Sequence, residues 1–136
     1  MNLAEALLAA DAGKIMKKAT ADFEVKRLSK MVGAPFILHL RELPPRRVRD
    51  IAELSTEVVR GKAKQDRYKM VLQVICDAVT NREFDDKEIL KHYGAATKKD
   101  LFEKLFNVAE VEEIYQEANK LCGYGNEAEQ VDEIKN

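Results

Sequence analysis

The chain has 136 residues, of which 46% are hydrophobic and 35% charged, with a net charge of −1 at pH 7. This length is typical of one domain, and the hydrophobic content allows a core that needs neither disulfides nor a metal. Only two cysteines occur, and no apolar run approaches the ~20 residues of a membrane-spanning helix, which argues against a disulfide-rich scaffold and a membrane protein. The first residues lack the basic start and long apolar stretch of a signal peptide, so we expect a cytoplasmic protein.

Charge is distributed unevenly along the chain. Residues 1–69 hold 15 Lys and Arg against 9 Asp and Glu, whereas residues 70–136 hold 8 against 15. Such asymmetry is found in proteins with a nucleic-acid-binding face or an acidic interaction tail, and also on ordinary solvated surfaces. The distribution alone does not choose among these.

A short amphipathic helix is predicted at the start of the chain. Asn2 and Glu5 have capping-box spacing, which begins a helix that runs through Ala10, and Gly13 is its expected stop. Its apolar side is formed by Leu3, Leu7 and Leu8.

A β-hairpin is predicted at about 22–43. Phe23 and Val25 alternate with polar residues, and the same period of two returns after Gly33. One face of the second strand carries Phe36, Leu38 and Leu40, and the other carries Ile37, His39 and Arg41. The glycine-containing connection leaves room for a helical turn at "LSKM". A lone hairpin is marginally stable in water, so it must pack on helices.

Two further helices are predicted in the middle of the chain. Pro44-Pro45 ends the strand and starts a helix that runs to about Val59. Its apolar stripe consists of Val48, Ile51, Ala52, Ser55, Val58 and Val59. After the basic stretch "RGKAKQDRYK", a helix over about 65–79 is predicted to bury Tyr68, Val71, Leu72, Ile75, Cys76 and Val79.

Three helices with their own start and stop signals follow. Capping-box spacing occurs at Asp85 with Glu88, at Thr97 with Asp100 and at Asn107 with Glu110, and Gly94 and Gly123 end the first and last helices. The sequence therefore predicts an α+β, mainly α fold: an N-terminal helix and a β-hairpin packed on about five helices. We expect one globular domain over 1–125 and a flexible acidic tail over 126–136.

No catalytic or metal-binding constellation is found in the sequence. His39 and His92 lack companion ligands, and Cys76 falls on an apolar stripe, where a small buried hydrophobe is the ordinary reading. The pair Asp85-Asp86 resembles paired carboxylates, but helix capping already explains Asp85. "GYG" is not a phosphate loop, because no strand precedes it. We therefore expect no enzyme, no cofactor and no metal.

Basic residues of the first half are the alternative functional candidate. Several phosphates could be neutralised by Arg41, Arg46, Arg47, Arg49, Arg60, Lys62, Lys64, Arg67 and Lys69. Against this, the helical arginines have acidic partners at i,i+4, aromatic residues for base stacking are missing, and the pI is about 6.2. A small regulatory protein that binds nucleic acid through this face is kept as the alternative function.

Apolar residues of "LFEKLF" and two tyrosines are the candidate partner-binding residues. The stripe could be core, or it could leave a groove open for an amphipathic helix of a partner. The candidates are Leu101, Phe102, Leu105, Phe106, Tyr115 and Tyr124.

Four segments carry a family resemblance. They are "FEVKRLSKMVGAPFILHLREL", "KEILKHYGAATKKDLFEKLF", "EIYQEANKLCGYG" and the ending "VDEIKN". In order and spacing, nearly the whole chain resembles the XkdN-like tail assembly chaperones of phages and prophages of Gram-positive bacteria. One departure is Pro44, which stands where the family usually has a small hydroxyl residue, so the helix at Pro45 loses a good N-cap. Another is that Arg46, Arg47 and Arg49 make this helix unusually basic.

The resemblance implies a non-enzymatic role in building the phage tail. Its members are expected to act in the host cytoplasm and to be absent from the finished virion. They are expected to bind the tape measure protein and to keep this long helical chain soluble until the tail tube polymerises around it. A frameshifted C-terminal extension is expected to recruit the tail tube protein. In this interpretation the acidic tail is the tether at which the extension begins, and the alternative is a frayed, solubilising end.

Overall fold

The computed structural model describes residues 2–124. Within this range it contains eight α-helices, two antiparallel hairpins and one 3-10 helix. The helices are α1 (Leu3–Ala9), α2 (Ala12–Met16), α3 (Lys26–Val32), α4 (Pro45–Leu54), α5 (Arg67–Ala78), α6 (Lys87–His92), α7 (Lys98–Leu105) and α8 (Val108–Leu121). The strands are β1 (Thr20–Glu24), β2 (Ile37–Arg41), β3 (Thr56–Val59) and β4 (Lys62–Gln65), and the 3-10 helix is Arg82–Asp85. The predicted fold class, α+β and mainly α, is confirmed.

The first hairpin has the predicted faces. β1 pairs antiparallel with β2 from Thr20 opposite Arg41 to Glu24 opposite Ile37, and α3 forms the connection. Leu38 and Leu40 are fully buried, whereas Ile37, His39 and Arg41 are exposed, as period-two alternation requires. The helical turn at "LSKM" is confirmed and extends to seven residues.

The core lies between this hairpin and helices α5, α7 and α8. Helices α5 and α8 pack against each other, and α8 also contacts both strands of the first hairpin. An aromatic chain crosses the core: Phe84 meets Phe102 edge to face at 5.1 Å, and Phe102 meets Phe106 at 5.1 Å. All the residues predicted to be buried by helix α5 are buried except Tyr68, which lies in the first turn of α5 and is more than half exposed.

Helix α4 is shorter than predicted, and a second hairpin replaces its last turn. The helix ends at Leu54, and the hydroxyl of buried Ser55 donates to the carbonyl of Ile51. Strands β3 and β4 then pair around a two-residue turn, Arg60-Gly61, in which both residues have positive φ. This turn type matches the twist of a hairpin, so it overrides the helical spacing of Val58 and Val59. Both valines are exposed, and the prediction that they extend the apolar stripe is wrong.

Most predicted helix caps are confirmed. Thr97 accepts a hydrogen bond from the backbone of Asp100, and Asn107 forms a complete capping box with Glu110. The box predicted at Asp85 is wrong by one residue, because Asp86 accepts from two backbone N–H groups of α6. At α4 the N-cap is Pro44, which gives no side-chain hydrogen bond, as the departure from the family pattern predicted.

The N-terminal arm, defined here as residues 3–19, contributes no buried side chain. Asn2 caps α1 as predicted, but the helix ends at Ala9 and Asp11 caps a separate helix, α2, that contains Gly13. The prediction that Gly13 stops the first helix is therefore wrong. Five large apolar side chains of the arm are exposed: Leu3, Leu7, Leu8, Ile15 and Met16.

Two further predictions concern the C-terminal tail and membrane-spanning helices. The acidic tail predicted at 126–136 lies outside the described residues. Among residues 2–124, no helix is both long and apolar enough to cross a membrane.

Candidate partner-binding groove

An open groove of about 650 Å³ lies between α3 on one side and α6 and α7 on the other. Its floor is formed by the start of β2 and by the 3-10 helix. We name it the α3–α7 groove. It is lined by Arg27, Leu28, Met31, Val32, Pro35, Phe36, Ile37, Asn81, Glu83, Phe84, Ile89, Tyr93, Lys104 and Leu105. Its volume is in the range of specific binding sites, and its lining is mainly apolar.

Apolar side chains of the groove remain exposed to solvent. Met31 is 71% exposed, Val32 is 52% exposed and Tyr93 is 44% exposed. Ile37 joins them because it points away from the buried face of β2. Contiguous exposed apolar residues of this kind mark interaction sites more often than isolated ones do.

One ion pair fixes the wall formed by α3. The guanidinium of Arg27 donates to both carboxylate oxygens of Glu110, at 2.9 and 2.7 Å, and to the carbonyl of Leu105 at 2.7 Å. Hydrogen bonding from Arg27 is the main reason that the pKa of Glu110 lies below its ordinary value. Glu110 also accepts from the backbone of Asn107, so the Arg27–Glu110 pair together joins α3, α7 and the start of α8. The first turn of α3 is therefore held against the last turn of α7.

A second set of bonds fixes the floor. The side chain of Asn81 donates to the carbonyl of Ile37 and accepts from the N–H of His39. Thr80 donates its N–H to the carbonyl of His39. The outer edge of β2 at the groove is therefore already hydrogen-bonded.

A family model described as phage XkdN-like tail assembly chaperone protein matches residues 4–135. The chain belongs to this family. A crystal structure of the protein YqbN is similar to this chaperone with a TM-score of 0.59, at 15% sequence identity, over 85% of this chain and 98% of that chain. At this identity the similarity shows the fold alone. No match is found among curated proteins.

The six candidate partner-binding residues lie in three different environments of the chaperone. Leu101 and Phe102 are fully buried and Phe106 is nearly so, which makes them core residues in this conformation. Leu105 is half-buried and lines the α3–α7 groove. Tyr115 and Tyr124 line a smaller groove of about 260 Å³ between α4, α5 and α8.

Sequence analysis missed most of the residues that line the α3–α7 groove. Met31 and Val32 come from α3 and Tyr93 from the turn after α6, and they meet Leu105 only through the tertiary fold. One feature of the sequence could have indicated these residues: Met31 and Val32 lie just outside the alternating pattern of the hairpin. A methionine that fits neither a strand face nor a helix stripe is a reason to look for a surface role.

Several basic residues of this chaperone are bound to other residues of the described chain. Four of the nine candidates are already bound: Arg41 donates to the carbonyl of Asp77, and Arg47, Arg49 and Arg67 form salt bridges with Asp77, Glu53 and Glu112. These bonds reduce the charge available to phosphates and do not favour the nucleic-acid alternative.

Residues considered for catalysis are dispersed or buried. His39 contacts the carboxylate of Asp22 at 2.7 Å on an exposed face of the hairpin, far from the other histidine in sequence. Burial raises the pKa of Cys76 to about 12, so its thiol is not a nucleophile at neutral pH. In the described part of the chain, no group of three or more His, Cys, Asp or Glu is placed to hold a metal ion.

Proposed function

We propose that this chain binds the tape measure protein of its phage and keeps it soluble while the tail tube polymerises. It acts in the host cytoplasm and is absent from the finished virion. The observation that carries the proposal is an open apolar groove in a member of the tail assembly chaperone family.

The physical need follows from the nature of the client. A long amphipathic chain that awaits its tube exposes apolar surface and is prone to aggregate. A chaperone that binds this surface reversibly shifts the equilibrium toward the soluble form by mass action. Many weak contacts along the chain suffice, and the advancing tube can displace them one by one. An open groove permits such exchange more readily than an enclosed cavity.

Recruitment of the tail tube protein is the second part of the proposal. We propose that a frameshifted product with a C-terminal extension binds the tube protein, and that residues 126–136 form the tether. Deletion of residues 126–136 should leave the affinity for the tape measure protein unchanged. A large loss of affinity would show that these residues are a contact surface instead.

Co-expression tests the proposed function. The tape measure protein of the same phage is expressed with and without the tagged chain, and the soluble fraction is passed over an affinity resin. We expect the tape measure protein to be soluble only in the presence of the chain and to elute with it. If it stays insoluble with both the short chain and the extended product, the proposal is wrong.

A further inference from the structure

The backbone around the α3–α7 groove limits what the groove can bind. A peptide in extended conformation would need an unpaired strand edge, because strand addition depends on main-chain hydrogen bonds. The edge of β2 at the groove is already occupied by Asn81 and Thr80, at 2.8 to 2.9 Å. Strand addition at β2 is therefore blocked, whereas an α-helix satisfies its own backbone groups and needs no strand edge.

The walls of the groove suit the apolar face of a helix. Leu28 and Leu105 lie low on opposite walls, and Phe36 and Phe84 form a floor with ring centroids 5.9 Å apart. Apolar side chains at i, i+3 or i+4, and i+7 project from one face of a helix into such a groove. Met31 lies at the exposed lip, where its sulfur accepts a hydrogen bond from Arg27 at 3.4 Å and its unbranched side chain offers a thioether to a bound helix.

Two charged side chains line different parts of the groove. Lys104 lies where the last turn of α7 meets Arg27, and Glu83 lies on the 3-10 helix beside the start of β2. Both side chains are exposed, and neither forms a salt bridge within residues 2–124. Because a helix carries partial positive charge at its N-terminus and negative charge at its C-terminus, these charges favour one direction of binding.

We infer that the α3–α7 groove binds one amphipathic α-helix of the partner, with the N-terminal end of that helix at Glu83 and its C-terminal end at Lys104. The inference rests on the proposed function, in which the partner is the tape measure protein. It adds the surface, the conformation of the bound segment and its direction.

Methionine methyl groups report on the separate surfaces in one experiment. Met31 lies in the α3–α7 groove, Met16 in the N-terminal arm and Met70 in the smaller groove between α4, α5 and α8. The full chain is labelled with ¹³C at the methionine methyls and titrated with overlapping 25-residue peptides that tile the tape measure protein of the same phage. We expect the binding peptides to move the Met31 signal and to leave Met16 and Met70 unchanged.

Matched variants test the same surface by affinity. Met31→Glu places a charge in the groove, and Val58→Glu places it at a similarly exposed site on β3. We expect the first substitution to weaken peptide binding at least tenfold and the second to change it less than twofold. Both sites are exposed, so both variants should fold, which far-UV circular dichroism checks. Equal effects of the two substitutions would overturn the inference.

A spin label on the peptide tests the direction. A label at the N-terminus of the peptide should broaden the methyl signals of Ile37 more than those of Leu105, and a label at the C-terminus should do the reverse. The opposite pattern would overturn the assigned direction. Charge reversal by Lys104→Glu should weaken binding several-fold, because it places a negative charge at the C-terminus of the bound helix.

The outcomes separate this inference from the proposed function. If the tape measure protein co-purifies but the peptides move Met16 or Met70 and not Met31, the inference is wrong and the function stands. If Met16 and Met31 both shift on dilution of the chain alone, the groove holds the N-terminal arm of a second copy, and the assigned occupant is wrong. If no peptide binds and no tape measure protein co-purifies, both fail.

Discussion

Replacement of Phe102 by alanine tests whether "LFEKLF" belongs to the core or to a partner surface. Phe102 is fully buried and forms edge contacts with Phe84 and Phe106, each at 5.1 Å between ring centroids. Truncation of a buried phenylalanine costs about 3–5 kcal/mol, and loss of two aromatic contacts places this site in the upper part of that range. We expect the free energy of unfolding to fall by about 4 kcal/mol.

Urea unfolding followed by far-UV circular dichroism measures this change. The chain has no tryptophan, so fluorescence is a poor probe. With a typical m value of about 2 kcal/mol/M, the urea midpoint should fall by roughly 2 M. Val108→Ala is the control, because Val108 is 84% exposed and its loss should change stability by less than about 0.5 kcal/mol. A fall below about 1 kcal/mol for Phe102→Ala would refute the assignment of Phe102 to the core.

Three further predictions concern the cap of α8, the two thiols and pH. Asn107→Ala should lower the free energy of unfolding by about 1 kcal/mol without a change in the urea m value, because it removes a capping box. An unchanged urea midpoint would contradict this prediction. Only Cys122 should react with a thiol reagent in the native protein at pH 8, because burial raises the pKa of Cys76 to about 12. Cys76 should react after unfolding. Two reactive thiols in the native protein would contradict the burial of Cys76. The pKa of Glu110 is lowered in the folded state by Arg27, so the contribution of Glu110 to stability is present above about pH 4.5 and is lost as the pH falls further. Glu110→Gln should therefore be less stable than wild type at pH 7, and the difference should shrink toward pH 3 in urea titrations. A difference that stays constant with pH would contradict the coupling.

Helix starts in the second half were predictable because a cap depends on four consecutive residues. Asn107 and Glu110 form the bonds that their spacing predicts. The same local rule failed by one residue at Asp85-Asp86, because two adjacent aspartates satisfy it almost equally. Only the 3-10 helix that ends at Asp85 decides between them.

The second hairpin was not predicted because the same residues fit both a helix and a strand. Val58 and Val59 fit the helical stripe of α4, and as β-branched residues they also fit a strand. Arg60-Gly61 decides for the strand, since a non-glycine residue with φ of 53° followed by glycine at 77° closes a tight hairpin turn. A two-residue turn signal outweighed the helical periodicity here.

The groove could not be predicted because its walls are distant in sequence. Met31 and Leu105 line the same groove only because the Arg27–Glu110 ion pair and the aromatic residues of the floor hold its walls in place. "LFEKLF" was correctly singled out as unusually apolar, but its two stripes divide between core and surface. Of its four apolar side chains only Leu105 lines the groove, because Leu101, Phe102 and Phe106 are buried in the core.

Suppression of aggregation is the most direct test of the central claim. A segment of the tape measure protein is diluted from denaturant, and light scattering is followed with no addition, with an equimolar amount of this chain, with Met31→Glu and with Val58→Glu. We expect wild type and Val58→Glu to suppress the scattering and Met31→Glu to fail. If wild type leaves the scattering unchanged, this chain does not keep the tape measure protein soluble, and the account is contradicted.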